Sequence, residues 1–301
     1  MSLLVTGTIG IDTVETPHGR AADVLGGSAV YFSFAASLLS PVRLVGAVGG
    51  DFPREMRDLF AGRPIDTAGL ETRPGSRTFR WQGRYTGDMN SAQTLCTELN
   101  VVSEAAPRIP ESFRDSACVF LANTHPALQR EFISQLTAPR LIVCDTMNLW
   151  INEARDELLK TLAAVHGLVL NDGEARLLTG CDNLLLAGRQ VLRLGPRFVV
   201  IKKGEHGALL ITADDLFALP AFPTMRVVDP TGAGDSFAGG MMGYLAAAGR
   251  TDVAAIRSAM ARGACIASIT IEAFSLDALR AADRGEVDRR LARFRQLTAY
   301  E

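Results

Sequence analysis

Histidine is scarce in this chain, four residues in 301, and no histidine or cysteine set has metal-ligand spacing. The five cysteines, Cys96, Cys118, Cys144, Cys181 and Cys265, are far apart and odd in number. They include no C-x-x-C and read as reduced, mostly buried thiols of a cytoplasmic protein. Long apolar runs are missing too; none approaches the roughly 18 residues of a membrane span. Leu3-Leu4-Val5 is too short, and lacks the basic lead, for a signal peptide. Neither sign of charge dominates, with 31 basic against 33 acidic side chains and a net charge of −2. Nothing there invites a nucleic acid or an anionic membrane as partner. G-x-x-x-x-G-K-[ST] is absent, which excludes a P-loop enzyme, and Ser236 lacks the glycine-flanked elbow of a hydrolase nucleophile.

What is present suits one large α/β domain, or a domain with a small appendage, over 1–301, at 48% hydrophobic residues and 28 glycines. Leu3 to Gly7 reads as a buried first strand with Asp12 just past its end, and Val42 to Asp51 as another with a glycine-rich exit. From about 117 onward strand and helix alternate, which argues for a mainly parallel sheet. Strands are expected at 117–122, 141–145, 167–171 and 198–202, with 208–211 folding back across Gly204 to Gly207. Helices are expected at 29–39, 126–136, 152–165, 184–194, 234–248, 251–268 and 276–298. Residues 76–100 break this pattern. Thr78 to Thr86 alternates with period two, Phe79, Trp81 and Tyr85 on one face and Arg80, Gln82 and Arg84 on the other. With Thr94 to Leu99 as partner, it predicts a small two-sided sheet set into the α/β chain as a lid or clasp, its aromatic face covering a substrate, packing on a second subunit or, most commonly for such a face, sitting on the domain.

The most informative stretch is Asp229-Pro230-Thr231-Gly232-Ala233-Gly234-Asp235-Ser236-Phe237. A glycine-spaced loop feeding a helix gathers unpaired N–H groups and the positive end of a helix dipole at one spot. That is an anion site suited to phosphate. Asp235 would repel phosphate unless it has other work, such as taking a proton from an attacking hydroxyl, so phosphoryl transfer is the chemistry expected. A dinucleotide fingerprint would need glycine where Phe237 stands. Gly26-Gly27-Ser28 reads either as a loop with an N-cap at Ser28 or as a backbone-lined turn that ligand hydroxyls approach. Asn171 and Glu174 have capping-box spacing, which outweighs, on spacing alone, a role for Glu174 in holding a metal-bound water.

Taken together, these residues resemble the ribokinase-like (PfkB) carbohydrate kinases. The nonapeptide at 229–237 matches the family's carboxyl-terminal signature. Asp12, Gly26-Gly27, Val48-Gly49-Gly50-Asp51, Asn171-x-x-Glu174 and Lys203-Gly204-x-x-Gly207 follow the family's order across essentially the whole chain. The resemblance implies a three-layer α/β sandwich with a mainly parallel central sheet and a small β-sheet lid. The lid would comprise about 76–100 with a contribution from about 11–25. It implies an ATP-dependent kinase acting on a hydroxyl of a small sugar or sugar derivative. Asp235 would be the base and Gly232, Ala233 and Gly234 the anion hole. Asp12, Gly26 and Gly27 would contact the acceptor, Asn171, Lys202 and Gly204 the nucleotide, and Glu174 Mg²⁺ through water. Asp229 and Thr231 match a loop that in several members binds a monovalent cation such as K⁺. Tyr31 stands where many members have asparagine. With Asp88, Asn90, Asn123 to His125 and Asp145 to Asn148 it is a candidate for acceptor choice, on position alone. A nucleoside kinase on the same fold is the alternative, encouraged by Tyr31 and the lid aromatics; a non-catalytic sugar- or nucleotide-binding protein is a remote one. A homodimer through the lid is the partner implied.

Overall fold

A computed structural model describes residues 1–299. Thirteen strands are present: β1 (Leu3–Thr6), β2 (Gly10–Thr16), β3 (Gly19–Gly26), β4 (Val42–Gly49), β5 (Ile65–Arg73), β6 (Phe79–Tyr85), β7 (Ala92–Glu98), β8 (Cys118–Leu121), β9 (Leu141–Asp145), β10 (Gly167–Asn171), β11 (Phe198–Lys202), β12 (Ala208–Thr212) and β13 (Leu216–Leu219). Nine of them form one sheet in the order β13-β12-β11-β10-β9-β8-β1-β4-β5. From β5 to β11 every neighbouring pair is parallel, and β12 alone runs against the rest, antiparallel to both β11 and β13. β1, β8 and β9 are buried along their whole length because helices cover both faces, which is why these strands read as unbroken apolar runs.

Two apolar clusters flank the sheet. One gathers the helices Ser28–Ser37, Ala233–Ala248, Val253–Thr270 and Arg284–Thr298; the other gathers Pro126–Ser134, Arg155–Leu162, Asp172–Thr179 and Leu184–Leu192. Ser28–Ser37 is buried on every side, wedged between the sheet and Ala233–Ala248. Small residues permit this: a β-carbon on Gly243 would lie 2.9 Å from the Ala36 carbonyl oxygen, and one on Gly239 would strike that of Phe32. The buried helix fixes where the loop 229–235 must sit.

The second sheet runs β3-β2-β6-β7 and is mixed, two antiparallel hairpins joined by parallel β2 and β6. β6 and β7 pair as their alternation predicts. Phe79 and Tyr85 pack down onto the body, Trp81 covers Gly83 with its indole N–H 3.2 Å from the Thr94 hydroxyl, and β7 is exposed almost throughout.

Several local expectations need correction. Asp12 lies inside β2 of the smaller sheet, because the chain leaves β1 at Thr6 and starts a new strand at Gly10. Ser28 caps nothing: Gly27, at φ +99°, holds the cap position, while the Ser28 and Thr8 hydroxyls pair at 2.9 Å. The span 152–165 divides into Asn148–Glu153 and Arg155–Leu162 at Ala154, and 276–298 into Asp277–Ala281 and Arg284–Thr298, where Asp283 caps the second piece. Strands β3, β5 and β13 are additions; β3 and β5 mix polar with apolar residues, and β13 is four apolar residues, too short to show an alternation.

Candidate active site

The loop 229–235 meets the carboxyl ends of the central strands, and its shape follows from its glycines and Asp229. Gly232 takes φ +73° immediately before the helix, and a β-carbon there would run into the Tyr31 ring. Asp229 closes the loop, one carboxylate oxygen accepting from the Thr231 N–H at 2.9 Å and the other from the Ser275 N–H at 3.1 Å. Burial raises its pKa against the pull of those bonds. Asp229 is thus already a structural clasp, with or without a cation. The Ala233 N–H, one of the three expected to face an anion, is spent on the Pro230 carbonyl at 3.1 Å. Among the described residues the Gly232 and Gly234 amides have no partner, so the open donors are narrower than the sequence suggests.

Beside this loop stands a cluster of charge. The Lys202 ammonium sits 2.7 Å from the place a β-carbon of Gly234 would take, so a side chain there would have to displace the ammonium. Asp235, Glu174 and Asp145 surround that ammonium closely enough to perturb one another. Burial pushes Asp235 from an ordinary 3.8 to about 7; Lys202 holds it down and Glu174 pushes it further. The carboxylate is surrounded by protein yet keeps a path to solvent. Asp145, at the end of β9, is raised as well, first by burial and then by Asp235, and its Oδ1 has no partner. Glu174 and Asn171 form the reciprocal capping box, with both bonds at 2.7 Å. The cap and a donor-side role are compatible, because the cap itself holds Glu174 beside Lys202.

Across from Asp235 lies Asp12, 3% exposed. Its Oδ2 accepts from the Gly27 N–H at 3.3 Å, and a β-carbon on Gly26 would collide with the same oxygen. Its Oδ1 has no partner. Burial raises this carboxyl to about 7, opposed by the Gly27 bond and reinforced by Asp229 and Asp235. An orphaned acceptor beside a glycine turn is what a ligand hydroxyl would satisfy.

Other candidates fall elsewhere. Tyr31 is 1% exposed, its ring pressed beneath Gly232, so it offers no open face for a base; its hydroxyl lacks a partner beside Ser275. Asn123 is occupied internally, accepting from the Trp150 indole at 2.7 Å and donating to the Met147 sulfur at 2.9 Å, while His125 caps the helix that follows. Asp88 and Asn90, at the lid tip, turn to one another and to Glu205 on the nucleotide side. Ser275, at φ +52°, is a site neighbour that no local pattern signals, and Tyr85, read as a lid aromatic, turns its hydroxyl to Thr231 at 3.4 Å through long-range packing.

Residues 20–277 match the family model described as pfkB family carbohydrate kinase. The chain belongs to that family. The cytidine kinase of Thermococcus kodakarensis is 31% identical over 251 residues, 81% of this chain and 88% of that protein. A nucleoside kinase of Methanothermobacter thermautotrophicus is 27% identical over 76% of this chain and 74% of its own. Among solved structures, a Burkholderia thailandensis nucleoside kinase in complex with inosine superposes with TM-score 0.79 at 20% identity, covering 100% of this chain and 99% of its own. A Thermotoga maritima ribokinase gives 0.77 at 18%, over 97% and 99%. This PfkB chain is therefore a kinase of a sugar or nucleoside hydroxyl that uses ATP, on the ribokinase-like fold.

Proposed function

We propose that Asp235 takes the proton from a primary hydroxyl of a ribose-type acceptor as that oxygen attacks the γ-phosphorus of ATP in line. The observation that carries this reading is the facing pair, Asp235 beside the unpartnered loop amides and Asp12 with its free oxygen, each raised to about 7. A base poised near neutrality combines the right protonation state with useful driving force, an effect typically worth about 10²–10⁴ in rate. Asp12 and the Gly26-Gly27 turn orient the sugar. Lys202 and the amides of Gly232 and Gly234 neutralise charge on the transferring group, aided by the helix dipole. Asn171 and Gly204 line the nucleotide side. The lid excludes water, the competing acceptor.

No set of three or more His, Cys, Asp and Glu side chains among the described residues forms a metal cage. Mg²⁺ is usually held by one or two carboxylates together with substrate phosphates. Glu174 and the orphaned Asp145 are the fitting pair, and Mg²⁺ there would offset phosphate charge. Asp229 and Thr231 are the K⁺ candidates. We treat 1–301 as one catalytic domain working in the cytoplasm, where ATP is at hand and the free cysteines stay reduced. The uncovered edge of β7 is the surface for a lid-to-lid homodimer.

A nucleoside is the favoured acceptor, because the cytidine kinase relative matches 81% of the chain. The test is ADP formation with ATP and a panel of cytidine, other nucleosides, ribose and fructose, with the product identified by mass. Turnover on a free sugar alone would overturn the nucleoside assignment; no acceptor-dependent turnover would overturn the mechanism.

A further inference from the structure

Besides Phe79 and Tyr85, which pack on the body with the Tyr85 hydroxyl meeting Thr231, the lid hairpin is held at its base and at its tip by contacts of different chemistry. Its base is pinned. Thr78, fully buried, gives its N–H and its hydroxyl to Asp51 at 2.7 Å each, its hydroxyl accepts from the Gly49 N–H, and its carbonyl accepts from the Asn100 amide at 2.9 Å. The glycine-rich exit Gly49-Gly50-Asp51 is thereby an anchor for both chain segments that enter and leave the lid. Its tip is a tight turn, Gly87 at φ +60° and Met89 at +56°, that carries Asn90 over the start of the 204–207 turn. The Asn90 amide donates to Glu205 Oε1 at 2.9 Å, and its oxygen lies 3.0 Å from where a β-carbon of Gly204 would be. That turn is closed by the Lys203 N–H to the Gly207 carbonyl at 2.7 Å, so it moves as one piece with the end of β11. Lys202, two residues before that turn, rests on Gly234.

A continuous path thus runs from the lid tip through Glu205 to the ammonium at the transferring phosphoryl position. The base pin contains buried bonds and leaves the lid little freedom to separate there. The tip contact is a single exposed bond. We infer that Asn90 and Glu205 are a latch by which the nucleotide side holds the lid over the acceptor. They are positioning residues: neither touches a reacting atom, and both act through the lid. The inference rests on the kinase reading above. Nucleotide that orders the 204–207 turn favours the latched lid, and by reciprocity an acceptor held under the latched lid tightens nucleotide.

The test is amide hydrogen exchange of the lid in the full chain, with and without ADP and Mg²⁺, paired with acceptor KM and kcat. In the unmodified protein ADP should slow exchange across residues 86–98. Asn90→Ala and Glu205→Ala should abolish that slowing and raise acceptor KM about fivefold, the low end of ordinary coupling, with a smaller change in kcat. Glu205→Gln, which keeps the accepting oxygen, should restore both. Thermal shift reports nucleotide binding independently. ADP that binds yet leaves lid exchange unchanged overturns the latch alone, as does a Glu205→Ala protein that behaves like the unmodified one. ADP that does not bind at all overturns the kinase reading and the latch with it.

Discussion

At the scale of single residues, the site sets two carboxyls against each other, and each yields a prediction. Asp235→Asn keeps shape and helix but removes the proton acceptor. Turnover should fall about 10²–10⁴-fold while ADP binding, read by thermal shift, persists. Asp12 has a raised folded pKa, about 7 against 3.8, so it stabilises the unliganded fold fully only below about pH 3.8. That contribution drains away as pH rises through 7. Asp12→Asn should therefore make the unliganded protein more heat-stable than its parent at pH 8 and remove much of the pH dependence between 5.5 and 8, while acceptor KM rises. An unchanged melting profile would deny the burial argument. The same titrations give kcat/KM a rising limb near pH 7, belonging to the coupled acidic group rather than to Asp235 by itself. Gly232→Ala forces a β-carbon into the Tyr31 ring at a positive φ and should cost activity and several degrees of melting temperature. Asp235, Asp12 and the glycines were legible because loop chemistry and order along the chain declare them. The occupation of the Ala233 amide by Pro230, and the burial of Tyr31, were not, since both depend on what packs beneath the loop.

At the scale of elements, β9, β10 and β11 fall where their apolar runs place them, because covered parallel strands carry the strongest local signal. β5 escaped because Asp66, Thr67 and Glu71 interrupt it at a sheet edge. Long helical patterns broke at Ala154 and Ala282-Asp283, where chain direction is set by neighbours rather than by propensity. The helix Asp172–Thr179 is the case where cap and function coincide. Asn171→Ala removes the cap bond to the Glu174 N–H and should cost about 1 kcal/mol in chemical denaturation. Asn171→Asp keeps the cap, so a loss of nucleotide affinity in that variant separates a contact with ATP from stability alone.

At the scale of the whole molecule, the candidate site draws on both sheets. The larger sheet supplies Asn171, Lys202 and Asp145, and the smaller one Asp12 and Tyr85, with Asn90 in the β6–β7 connection, so the proposed chemistry requires both in register. The placement of cysteine follows the same division. Cys118, Cys144 and Cys265 are sealed in the core and Cys181 is half covered, whereas Cys96 stands open in the middle of β7. The native chain accordingly carries a thiol on its proposed lid that a maleimide dye would reach first, and an optical signal from that dye would show, without any engineered attachment point, whether that sheet moves when substrates bind.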